Sequence, residues 1–291
     1  MDAATMPWSV GIRFSHAALQ ALADDHGVDL LHIKGPAVDD SLGGATRQSI
    51  DADVLVRPSH VDRLLAAMHL HGWKTQYLFE DGSAFEHAST LVHPFLAPVD
   101  VHRRFPGIDQ NPAAAFERLW ADRHVTDLAG MPCAVPSVTA QRLILIAHAA
   151  RGGRLTHPDI DTSWTRAPAF ERDAVSQLAD DIGAGVALAA GTGRLEEFVG
   201  HPGHELWRVL STGERSRARI WAARVRAAPT KRAALRTAVR LVMPNRHRME
   251  ARLGRRPTAR EVASAYVASA RGGACELAGF LRSVATERRG R

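Results

Sequence analysis

Residues 32–56 read HIKGPAVDDSLGGATRQSIDADVLV, and the way this stretch folds decides the rest. Asp51 and Asp53 open an apolar run, where charge is costly unless something compensates it. In an extended strand, residues two apart face the same way. Asp51 and Asp53 therefore aim together, and Ile50, Ala52 and Val54 are expected in the packing layer behind. Upstream, VDLLHIK reads as a buried strand ending at Lys34-Gly35. Pro36 suits the first turn of a short helix, because it has no N–H to leave unpaired. Glycine lets backbone amides approach a phosphate closely, and a helix N-terminus adds favourable partial charge. Arg47 lies between this turn and the aspartates, placed to reach a β- or γ-phosphate.

The same alternation recurs in APVDVH at 97–102, which puts Asp100 and His102 on one face and Val99 and Val101 on the other. If the two strands lie side by side, three carboxylates converge. Like charges that close repel unless a cation sits among them, and hard oxygen ligands favour Mg²⁺. Three aspartates on adjacent strands suit a two-metal site for phosphoryl or nucleotidyl transfer. An Asp-x-Asp taken alone fits equally a strand end dipping into water, with its carboxylates bonding loop amides.

Around this centre the periodicity predicts further elements. Residues 9–26 have helical spacing, with Gly27 at the C-cap position. After Pro58, Ser59 is expected to cap a helix lined by Val61, Leu64, Leu65 and Met68. Strand pairs are expected between Trp73 and Val92, and a hairpin through HVTDLAGMPCAVPS turns at Ala129-Gly130. Ser137 or Thr139 would cap the helix through QRLILIAHAA, ended by Gly152-Gly153. The remainder is helical in period. The fold class expected is α+β, with a catalytic α/β domain over 1–121 and a mainly helical domain over 122–291.

Composition narrows the partners. The chain has 291 residues, 45% hydrophobic and 23% charged, which is ordinary for a folded globular protein rather than a disordered one. No apolar run reaches the ~20 residues of a membrane span, and the N-terminus lacks an apolar signal-peptide core. Cys133 and Cys275 are too few for a disulfide framework, so a reduced, cytoplasmic protein is expected. A net charge of +6 and a pI near 10.1 invite a polyanion. The base is concentrated between Trp207 and Arg260, where arginines face only Glu214 and Glu250; a solvated helical face is the plain alternative. Histidines offer false sites: His69 and His71 suit a helix end, His148 a packed core. HPDIDTSW at 157–164 brings Asp159 and Asp161 at alternate positions and reads as a loop or helix start that could line the acceptor side of a cleft.

Taken together, HIKGPA, Arg47, DADVLV and PVDVH resemble the uncharacterised bacterial nucleotidyltransferase-like proteins of the polymerase-beta superfold. RLILIAHAARGG and MPNRHRMEARLG resemble family segments more weakly, and the specific part spans residues 30–103. The superfamily more often carries Gly-Ser where this chain has Lys-Gly, so a serine grip on phosphate is not implied. The resemblance implies roles: Asp51, Asp53 and Asp100 as catalytic metal ligands for two Mg²⁺ ions, or Mn²⁺ in their place. Lys34, Gly35 and Arg47 would bind the nucleotide, with Lys34 and Arg47 neutralising charge as pyrophosphate leaves. His102 either tunes Asp100 from behind or packs.

The function so implied is transfer of a nucleoside monophosphate from an NTP to an acceptor hydroxyl. The acceptor would be RNA such as a tRNA end, gripped by the Arg-rich 207–260 region, or a small molecule or peptide. The alternative is a non-catalytic nucleotide- or nucleic-acid-binding module of the same fold.

Overall fold

In the computed structural model, residues 6–79, 85–153, 155–213, 217–228, 230–242, 249–250 and 253–268 are described. The apolar run after Asp51 forms β2 (Ala52–Val56), buried along its whole length. It pairs in parallel with β5 (Val99–His102) and antiparallel with β1 (Leu30–Ile33). Two further strands, β3 (Lys74–Tyr77) and β4 (Ala88–Val92), complete a mixed sheet of order β1-β2-β5-β4-β3. The parallel pair at 52–56 and 99–102 is the arrangement that the alternating aspartates require.

Both faces of the sheet are covered. On one, α1 (Trp8–Asp25) and α2 (Val61–Leu70) bury Ile12, Leu19, Leu64 and Met68 against Val54, Val56, Val99 and Val101. Each such fully buried side chain stabilises by about 1.5–3 kcal/mol. On the other, Leu31, Ile33 and Leu55 join α3 (Pro112–Ala121), α4 (Val138–Arg151), α5 (Ala169–Asp181), α6 (Gly185–Thr192) and Trp207 of α7 (His204–Ser211) in one core. Asp53 alternates with Val54 and so faces this second, helical layer. The last described helices include α8 (Arg217–Ala227) and α9 (Lys231–Val242). The hairpin is β6 (His124–Leu128) and β7 (Met131–Val135), turning through Ala129 (φ 57°) and Gly130 (φ 82°). Ser137 caps α4 by accepting from the Ala140 amide at 3.4 Å.

Three local expectations are corrected. Ile50 is 77% exposed: the strand begins only at Ala52, and the bend before it breaks the alternation. Ser59 caps nothing. A 3₁₀ turn, Pro58–His60, occupies the helix entrance, and His60 is in the N-cap position without a side-chain bond to the helix. The helix expected after Gly35 is a single 3₁₀ turn, Gly35–Ala37, followed by two more at Asp40–Leu42 and Gly44–Thr46. Gly44 could not carry a side chain there, since a Cβ would lie 1.7 Å from the Val38 carbonyl oxygen. MPNRHRMEARLG falls largely outside the described residues, as does Cys275. Among the described residues no helix is long and apolar enough to cross a membrane.

Candidate active site

The register of β2 and β5 sets Asp53 directly beside Asp100 and Leu55 beside His102. Asp53 is 3% exposed, an expensive place for a carboxylate. Two partners make it tenable: the Lys34 ammonium at 2.5 Å from Oδ1, and the His102 Nε2, which donates to the same oxygen at 2.7 Å. Burial alone would push the Asp53 carboxyl up, but Lys34 and His102 outweigh it and hold the group well below the usual carboxylate range. His102 thus serves Asp53, not Asp100. The partner of Asp100 is Thr90 on β4, whose hydroxyl donates to Oδ1 at 2.6 Å.

Lys34 reaches Asp53 because β1 ends opposite it, with Ile33 in register with Asp53. Its backbone, at φ 61° and ψ −174°, occupies a region that glycine favours and that costs other residues about 1–3 kcal/mol. Gly35 follows at φ 50°, and a Cβ there would press to 3.1 Å on Ser49 Cβ. The chain is therefore folded tightly back on the segment leading to Asp51. With only one 3₁₀ turn behind Gly35, no helix macrodipole adds to the charge of Lys34 at this corner.

Asp51 stands at the rim. Ser49 Oγ donates to its backbone oxygen at 2.7 Å and lies 3.3 Å from its Oδ1. Burial, then the charges of Asp53 and Asp100, push its carboxyl up to about 7, with Lys34 and the Ser49 hydroxyl pulling only partly back. A carboxylate so opposed by its neighbours marks a site with surplus negative charge. Asp53, Asp100 and His102 each offer a ligand atom, all within 4.8 Å of one another, and the buried His102 Nδ1 has no hydrogen-bond partner. Two carboxylates beside one imidazole form a donor set that fits a divalent cation.

Arg47 points elsewhere. It forms an ion pair with Asp159, and both side chains are largely buried. Asp159 comes from the helical turn Pro158–Ile160, which runs into a π turn over Asp161–Thr165, and His157 Nδ1 accepts from its amide at 3.1 Å. Asp161 instead pairs with Arg166. His69 and His71 satisfy local bonds to Thr75 and to the Ala67 carbonyl, as helix-end histidines do.

Four residues near the carboxylates have no signal in the local sequence pattern: Thr90, His87, His148 and Arg151. Arg151, at the end of α4, donates to His87 Nε2 at 2.9 Å and lies 3.4 Å from His148 Nδ1. The His87 ring lies 5.1 Å from that of His102, tilted at 49° to it. Burial first, then Lys34 and Arg151, keep His148 neutral down to about 3, and burial with His102 and Arg151 holds His87 lower still. His148, expected in a packed core, is half-buried beside this cluster.

The profile of the family described as "Uncharacterised nucleotidyltransferase" matches residues 12–200, about two thirds of the chain. Among solved structures, the antibiotic-resistance factor ANT(2'')-Ia is similar at 15% identity and a TM-score of 0.36, over 66% of this chain and 95% of that one. An antigenic nucleotidyltransferase-like protein from Paracoccidioides brasiliensis is similar at 16% identity and a TM-score of 0.37, over 62% and 93% of the two chains. Likeness at that level adds nothing to the family match. No curated protein matches the sequence. The matched residues hold β1, β2, β5 and α4, and with them every side chain of the carboxylate centre: this chain belongs to the uncharacterised nucleotidyltransferase family.

Proposed function

We propose that the protein is a Mg²⁺-dependent nucleotidyltransferase that moves a nucleoside monophosphate from an NTP to an acceptor hydroxyl. The observation that carries this reading is the pairing of Asp53 with Asp100 across β2 and β5, with Asp51 at the rim. Asp51, Asp53 and Asp100 would hold two Mg²⁺ ions, or Mn²⁺, with His102 fixing Asp53 from behind. Such ions, when bound, supply Lewis-acid stabilisation of charge on the phosphoryl oxygens. The acceptor oxygen forms its bond to the α-phosphorus as the bond to the α–β bridging oxygen breaks. Pyrophosphate leaves with that electron pair, and the hydroxyl proton passes to Asp100, oriented by Thr90. Lys34 and the Gly35 turn serve the phosphates, and Lys34 exchanges its bond to Asp53 for one to a phosphate oxygen. Arg47 joins them only if its pair with Asp159 opens.

The division of labour follows the chain. Residues 1–121 carry the catalytic sheet, and 122–291 cover it and select the acceptor, in a cytoplasmic setting. The arginines of α8 and α9 favour RNA over a small molecule or peptide as that acceptor. A thermal-shift panel tests the reading: wild type and Asp53→Asn against ATP, GTP, CTP and UTP, with and without Mg²⁺. A Mg²⁺-dependent shift lost in the variant is expected. Shifts that ignore both Mg²⁺ and the substitution would point to a non-catalytic binding module.

A further inference from the structure

Arg151 is a cation in an unusual position. It ends α4 half-buried, yet among the described residues no carboxylate pairs with it. Its hydrogen-bond partners are His87 Nε2 and His148 Nδ1, and the Phe85 ring lies 6.0 Å from its guanidinium carbon. Arginine only donates, so both imidazoles must present lone pairs to it and remain neutral. A half-buried guanidinium held by neutral acceptors keeps an unmet charge, and a planar fork of N–H groups matches phosphate oxygens in particular.

Burial disfavours the charge on Arg151, and the negative charges of Asp53 and Asp100 offset that only in part. The His87 ring lies tilted against that of His102, which is bonded to Asp53, so the arginine cluster and the carboxylate centre are two ends of one continuous set of side chains. Once the carboxylates are neutralised, as catalysis requires, the arginine loses its counter-charge and needs an anion of its own. We infer that Arg151, positioned by His87 and His148, is an anion subsite that binds the non-transferred phosphates of the nucleotide and holds them as pyrophosphate departs. This rests on the nucleotidyl-transfer reading of the neighbouring carboxylates. It also supplies the second phosphate-binding cation that Arg47, paired with Asp159, does not.

The same oxyanion chemistry could come from a phosphate on the acceptor, and one titration with two arms separates the sources. Inorganic pyrophosphate is titrated by calorimetry, with Mg²⁺ present, into the full-length wild type, Arg151→Gln and Arg151→Lys. The expected result is a loss of about tenfold or more in affinity for Gln and a smaller loss for Lys, which keeps a point charge without the fork. Affinity within twofold of wild type in Arg151→Gln overturns the subsite, as does a wild type that binds no pyrophosphate. Should the Gln variant fail to fold, the Lys variant decides: a threefold loss upholds the subsite and unchanged affinity overturns it. In the second arm, NTP is added to the pyrophosphate-saturated protein. Competition keeps the subsite on the donor nucleotide, and simultaneous binding moves it to the acceptor and overturns the donor assignment. No nucleotide turns over in the first arm. An inactive enzyme that still binds pyrophosphate through Arg151 would therefore sink the transfer reading alone.

Discussion

The strand edge that carries Asp51, Asp53 and Asp100 and the helix end that carries His148 and Arg151 are linked through His87 and His102 and handle charge in opposite ways. At the strand edge, negative charges are crowded until one of them, Asp51, gives way and keeps its proton to about 7. At the helix end, a cation is isolated among neutral imidazoles. One region lacks cations and the other lacks an anion, which is the complement of a metal–polyphosphate complex. The ion pair of Lys34 with Asp53 stands in for part of the missing positive charge.

The comparison can be broken at several points. Asp53→Asn or Asp100→Asn should lower kcat/KM by about a thousandfold or more, read in a pyrophosphate-release assay, while the fold persists. Asp159→Ala strands the buried Arg47 and should cost about 3 kcal/mol in denaturant unfolding, placing the pair among buried ion pairs broken on one side. Lys34→Met should retain metal binding yet reduce kcat about a hundredfold, since charge developing on the departing phosphate loses one partner.

The charge crowding at Asp51 has a pH signature. Metal binding needs its carboxylate, so below pH 7 affinity for Mg²⁺ should fall by about tenfold per pH unit and above it level off. Calorimetry in buffers of different ionisation heat would count the released proton. In the metal-free protein the sign for stability is the reverse. The unfolded chain gives up this proton near the ordinary carboxylate value while the folded protein keeps it, so this contribution declines as pH rises from about 4 to about 7. Asp53 opposes it: its depressed carboxyl stabilises above the ordinary value and stops doing so as acid protonates it. The smallest effect lies far from the cleft, where Ala129→Gly should gain about 0.5–1 kcal/mol in thermal unfolding by relieving a left-handed alanine in the hairpin turn.

How far the sequence announces each region follows from the kind of order behind it. The carboxylates are legible because strand alternation is local: Asp51 and Asp53, and separately Asp100 and His102, carry their facing in five or six residues, and the parallel pairing of β2 and β5 then brings them together. Ile50 breaks the pattern because a bend, not a strand, precedes Ala52. Arg151 and His148 lie in RLILIAHAARGG, which resembles a family segment, but nothing in that stretch marks them as part of a site. Their helix is apolar nearly all round and reads as core, and only packing against the sheet reveals that its last turn meets His87. Arg47 shows the same limit, since its partner Asp159 lies 112 residues away.

The most direct test of the central claim is the fate of the two ends of the nucleotide. Protein, Mg²⁺ and an RNA pool are incubated with NTP labelled at the α- or at the γ-phosphate. The account predicts that α-label enters the acceptor while γ-label leaves as pyrophosphate, and that Asp53→Asn stops both. Transfer of γ-label to the acceptor, with the α-label left in a nucleoside diphosphate, would contradict it and make the protein a phosphotransferase.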